Sequence, residues 1–120
     1  MAAGKHDITI EQGATFTLNL SYKDSAGDVV DLSSSYTSRM KVRDSTGGTI
    51  IASTEDGDSP KNTLSIALAA SGNNIIVTMT AANTTALDFD NAVYDLELVA
   101  GAVIDWIIEG RVFLSKEITV

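Results

Sequence analysis

Alternation of apolar and polar residues is the dominant signal along this chain. From Thr15 to Lys23, Phe16, Leu18, Leu20 and Tyr22 fall on one side, and Thr15, Thr17, Asn19 and Ser21 on the other. A period of two marks an extended strand with one wet face. Asp24-Ser25-Ala26-Gly27-Asp28 interrupts it with turn formers, and Val29-Val30-Asp31 resumes, which predicts a hairpin. Tyr36, Ser38, Met40 and Val42 then alternate with Thr37, Arg39, Lys41 and Arg43, so two arginines share the polar face of a second strand. After the turn Asp44-Ser45-Thr46-Gly47-Gly48, Thr49 to Ser53 reads as a short strand. Glu55 to Asn62 holds the single proline and no apolar residue, which predicts a surface loop.

Leu64, Ile66 and Leu68 alternate, as do Ile75, Val77 and Met79 beyond the turn at Ser71 to Asn74. Residues 81–87 form the one helix-like piece, too short to stand alone and in need of a sheet edge or corner to dock on. Three further strands are expected in the last third. Tyr94, Leu96 and Leu98 alternate with Asp95 and Glu97, and Gly101 marks a turn. Val103 to Ile108 is apolar except at Asp105, and Gly110 separates it from a final strand with Val112, Leu114, Ile118 and Val120 inward.

Eight or nine short strands with turn signals every 8–12 residues predict an antiparallel β-sandwich of immunoglobulin-like type, with a closed barrel as the alternative. Composition agrees. Val, Ile and Thr number 9, 11 and 13 in 120 residues, and these β-branched side chains suit a pleated, half-buried surface. The length serves one core, so one domain is expected over 7–120, with residues 1–6 as an N-terminal tail. The expected core is Phe16, Leu18, Leu20, Tyr36, Met40, Val42, Leu64, Ile66, Val77, Leu96 and Leu98.

Charge narrows the function classes. Eight basic residues stand against 16 acidic, a net of −8. Polyanion binding needs clustered Lys and Arg, so neither nucleic acid nor an anionic membrane is an expected partner. No apolar run reaches the roughly 20 residues of a membrane-spanning helix, and the first residues lack the apolar stretch of a secretory signal. The absence of cysteine removes disulfides, thiolate nucleophiles and cysteine-held metals.

Candidate chemistry is thin, and no catalytic residue, cofactor or metal is expected. His6 is the only histidine, and it has no second histidine or cysteine to complete a site. Glu55-Asp56-Gly57-Asp58 offers oxygen ligands, but Pro60 and Lys61 stand where a calcium loop needs more acceptors. Asp24, Asp28 and Asp31 are accounted for by turn chemistry. A carboxylate pair for glycoside hydrolysis is defined by separation in space rather than in sequence. Against one stands the scarcity of aromatics for stacking sugars, three Tyr, three Phe and one Trp. Phe16, Tyr22, Tyr36 and Tyr94 moreover fall on apolar strand faces.

The strand Val103 to Ile108 is apolar on both sides, although each sheet of a sandwich has only one face toward the core. Ile104, Trp106 and Ile108 are uniformly apolar and are expected inward. Val103, Asp105 and Ile107 then face outward as the candidate interface.

Several segments together resemble a known group. These are Asp7 to Phe16 leading into the first strand, Gly27-Asp28-Val29-Val30-Asp31-Leu32-Ser33-Ser34-Ser35-Tyr36, Ala82 to Leu87, Val93 to Leu98, and Glu109-Gly110-Arg111-Val112. In order and spacing the chain resembles small tailed-phage virion proteins, especially those of marine T4-like phages, and the immunoglobulin-like domain of baseplate upper proteins. Members typically carry Thr-Gly before the tyrosine, where this chain has Ser33-Ser34-Ser35. The resemblance implies an immunoglobulin-like sandwich in a virion, assembled in the cytoplasm of a bacterial host, with no enzymatic residues. Its expected role is structural, in the tail, baseplate or fibre, with other virion proteins or further copies of itself as partners. The alternative is an extracellular adhesin or carbohydrate-binding module, which exposed aromatics would favour. A buried acid pair in a pocket would instead favour an enzyme.

Overall fold

The computed structural model describes residues 4–55, 57–58 and 63–116. Nine strands and one short helix follow in chain order: β1 (Gly4–Lys5), β2 (Ile8–Glu11), β3 (Phe16–Leu20), β4 (Thr37–Arg43), β5 (Ile50–Ser53), β6 (Ser65–Leu68), β7 (Ile75–Met79), α1 (Ala81–Thr85), β8 (Asn91–Ala100) and β9 (Val103–Ser115). Two sheets face each other as a sandwich. The larger runs β1-β9-β8-β4-β5, with β2 also on β9, and the smaller runs β3-β7-β6. Strands β9-β8-β4 stand where an immunoglobulin sandwich places G, F and C, and β3-β7-β6 where it places B, E and D. The core draws on both sheets: Met40, Leu96, Leu98 and Val112 from one meet Ile75, Val77 and Met79 from the other.

The smaller sheet decides how deep its side chains lie. Only β7 is central there, and its Ile75, Val77 and Met79 are fully buried. Phe16, Leu18, Leu20 and Ile66 point the same way but sit on the edge strands β3 and β6, so they pack against the core half-exposed. Tyr36 is likewise only partly buried. Ile8, Ile10, Leu32 and Ala92 join the core in their place.

The short helix docks as its length requires. The Thr80 side chain caps it by accepting from the Asn83 amide. Buried Thr84 donates to the Ala14 carbonyl (2.8 Å) and accepts from the Gly13 amide (3.1 Å), which ties α1 to the turn between β2 and β3. The turn before Tyr36 is also special. Ser35 has φ 67°, the only non-glycine residue among those described with positive φ.

Two sequence expectations need correction. Residues 4–6 are not a tail. Gly4 and Lys5 pair in parallel with Ile108 and Glu109, and the His6 amide donates to the Glu109 carbonyl (2.9 Å). Such pairing uses backbone groups and leaves no apolar pattern to read. Gly110 is not a break either, because β9 runs unbroken through it for 13 residues. The N-terminal segment pairs with β9 as β1 and again as β2, and it steps across Gly110 in between. A Cβ there would collide with the His6 carbonyl. That carbonyl instead accepts from the Tyr94 hydroxyl (2.5 Å), while Asp7 Oδ1 accepts from the Arg111 amide (2.9 Å). Gly110→Ala should therefore push the N-terminal segment off β9, at a cost of about 1–3 kcal/mol, typical of overpacking. Hydrogen exchange should show lost protection at residues 8–11 first. Unchanged protection there would contradict this account of the glycine.

Candidate functional site

The strand β9 carries every large apolar side chain that the described residues leave exposed: Val103 (59%), Ile104 (50%), Trp106 (55%) and Phe113 (41%). Its geometry explains why. Strands β8 and β9 form a long hairpin whose register slips between Leu96 and Glu97, so that Leu96 faces Ile108 while Glu97 faces Trp106. Ile107 is the extra residue of a β-bulge, and a bulge exchanges the faces on its far side. Ile108 accordingly points into the core, while Trp106 and Ile104 point out beside Glu97 and Val99. The expectation that Ile104 and Trp106 face inward is thus reversed. Asp105, opposite buried Leu98, lies on the inner side, where its charge reaches Tyr22. Val103 is exposed at the hairpin end, and Ile107 is partly buried against the core.

Two depressions flank this hairpin. The first is an apolar cleft of about 530 Å³ at the open side of the sandwich, between the end of β3 and β9. Leu20, Tyr22, Ile75, Ile107 and Ile108 line it, and Lys5, Lys23 and one edge of Trp106 rim it. The pairing of β1 with β9 begins at Ile108, so among the described residues Val103 to Ile107 pair only with β8. Among the described residues, the cleft therefore lies against a strand edge paired on one side only. Of the interface candidates, Ile107 lines the cleft and Asp105 faces the same side, close to Tyr22, while Val103 stands exposed farther along the same edge.

The second depression, about 790 Å³, lies on the outer face of the larger sheet. Pairing arranges its side chains in rows across the strands. Arg39, Glu97 and Trp106 form one row, Lys41, Asp95, Glu109 and Lys5 the next, and Arg43, Val93 and Arg111 a third. The charges are largely matched. Arg39 Nε donates to Glu97 Oε2 (2.7 Å) and Lys5 Nζ to Glu109 Oε1 (2.6 Å). Lys41 reaches Asp58 (3.1 Å), whose Oδ2 also accepts from the Ser53 hydroxyl (2.5 Å). The Ser53 hydroxyl and Lys41 together hold the Asp58 carboxyl below its usual range. Asp58 is thus engaged with the sheet; Asp56 and residues 59–62 of the same acidic loop lie outside the described residues. Burial, reinforced by Glu97 and Glu109, holds the Asp95 carboxyl above its ordinary value. Among the described residues no group of three His, Asp or Glu side chains is placed to hold a metal ion.

Burial, reinforced by Asp7, pushes the Tyr94 phenol beneath this face up to about 12. A folded-state value above the unfolded value of about 10 favours the protonated phenol in the fold. The resulting stability is intact below pH 10 and is lost as pH rises from there through 12. Denaturation midpoints should fall across that window, and Tyr94→Phe should flatten the fall. An equally steep fall in the variant would place its origin elsewhere.

The polar positions were legible strand by strand, Arg39, Lys41 and Arg43 on one and Asp95 and Glu97 on another; that the two strands are neighbours was not. The exposed Trp106 was not, because nothing in Trp106-Ile107-Ile108 marks the bulge. No protein-family model matches the chain, and no curated protein matches it.

Proposed function

We propose that this chain is a non-enzymatic structural protein of a tailed-phage particle, associated with its tail, baseplate or fibre, and that it works by docking to neighbouring virion proteins. The sequence resemblance supports the virion setting. One structural observation carries the docking: the edge of β9 from Val103 to Ile107, unpaired on that side among the described residues, lies against an apolar cleft. An unpaired edge presents backbone donors and acceptors that another chain can satisfy as an added strand, and a neighbouring pocket supplies side-chain specificity. Here a partner strand along Val103 to Ile107 would cover Val103 and seat apolar side chains against Leu20, Tyr22 and Ile107.

Quantitative mass spectrometry of purified particles tests the virion setting. The chain is expected at a fixed copy number that survives high-salt washing. Its absence from particles of the phage that encodes it, despite expression during infection, would overturn the reading.

A further inference from the structure

The open depression on the outer face calls for an occupant of a different kind from the cleft. Its lining combines five basic with five acidic side chains, so it carries no net charge in a protein of net −8. An anionic ligand such as a nucleic acid requires a basic surplus that this face lacks. A cationic ligand would have to displace Arg39 from Glu97 or Lys5 from Glu109. What the face does offer is many hydrogen-bond donors and acceptors at fixed spacing, held in place by their mutual pairing. Beside them stands one exposed indole, which is apolar over its face and flanked in its own row by Glu97 and Arg39. Concave sites of this composition use the apolar group for contact area and the polar groups for orientation.

A neutral ligand with one apolar face and a rim of hydroxyls matches both halves. We infer that the outer face of the larger sheet is a binding site for a neutral glycan, with one sugar ring stacked on Trp106. Hydroxyls at its rim donate to the carboxylates of Glu97 and Glu109 and accept from Arg39 and Lys5. The rows of polar side chains run across the strands, which suits an extended polysaccharide lying in that direction. This goes beyond assembly; Trp106 and Lys5 also border the cleft, whereas Arg39, Glu97 and Glu109 line this depression and not the cleft. It stands or falls independently of the virion setting.

The full chain run through gels containing dextran, mannan or galactan tests the inference, with heparin and a single-stranded oligonucleotide as anionic probes. At least one neutral polysaccharide should retard the protein. Trp106 is the only tryptophan in the chain, so its fluorescence should shift on addition of the same polysaccharide. Trp106→Ala should weaken retardation about tenfold or more, as removal of an aromatic anchor commonly does. Glu97→Gln should weaken it less, and Val103→Lys should leave it unchanged. Circular dichroism of each variant verifies the fold. Lack of retardation by every neutral polysaccharide, retardation that survives Trp106→Ala in the folded variant, or preference for an anionic probe would each overturn the inference.

Discussion

Truncation of Leu96 to alanine is expected to cost about 2–5 kcal/mol, the range for a fully buried leucine that leaves a cavity behind. Leu96 is wholly buried in β8, the central strand of the hairpin and of the pairing with β4. It also stands opposite Ile108 at the register slip. That loss would be a large fraction of the roughly 5–15 kcal/mol that holds a domain of this size together. Ile104→Ala is the informative companion. By its apolar run alone Ile104 reads as a core residue, but the bulge turns it outward, so its truncation should change stability by no more than about 0.5 kcal/mol. Chemical denaturation of both variants decides the matter. Comparable losses would mean that β9 has the alternation its sequence suggests and that the bulge at Ile107 is wrongly placed.

The second large effect concerns a polar residue. Asn74 is completely buried, and its side chain holds three backbone groups: it accepts from the Tyr22 amide (2.7 Å) and donates to the Tyr22 carbonyl (3.0 Å) and the Val30 carbonyl (2.8 Å). It thereby fastens the hairpin between β3 and residue 30 to the start of β7. Asn74→Ala removes all three bonds; the Tyr22 carbonyl keeps its bond from the Val30 amide, so the part-buried Tyr22 amide and Val30 carbonyl lose their partner, at about 1–3 kcal/mol each where water cannot enter, and a total of about 2–6 kcal/mol is expected. Asn74→Asp keeps the acceptor, and once protonated its carboxyl supplies one of the two donors, so at acid pH it should fall between alanine and wild type. A loss below about 1 kcal/mol for Asn74→Ala would show that water replaces the side chain readily.

These residues also show what the sequence could and could not disclose. The alternation in Met40–Val42 and Tyr94–Leu98 was readable because both strands sit mid-sheet, with one face dry and one wet. The half-burial of Phe16, Leu18 and Leu20 was not, because it depends on β3 being an edge, and strand neighbours are set by topology. Asn74 read as a turn residue; its burial follows from the Tyr22–Val30 hairpin folding over it, a contact between segments some fifty residues apart in sequence. The N-terminal pairing at Gly4 and Lys5 rests on backbone bonds and one exposed Lys5–Glu109 ion pair, so apolar patterning carried no trace of it. At the candidate site the matched charges were visible strand by strand. The outward turn of Trp106 was hidden by one extra apolar residue in an apolar run.

Under the proposed function, the edge of β9 left unpaired among the described residues docks this chain into a particle. Val103 is the residue on which to test it, because it is the most exposed large apolar side chain among the described residues and can take a charge without touching the core. Wild type and Val103→Lys, distinguishably tagged and expressed together during infection, would be counted in purified particles by mass spectrometry. The account predicts wild type at its fixed copy number and the folded variant depleted about tenfold or more, the effect expected when a charge is forced into an apolar contact. Equal incorporation of the two forms would contradict it.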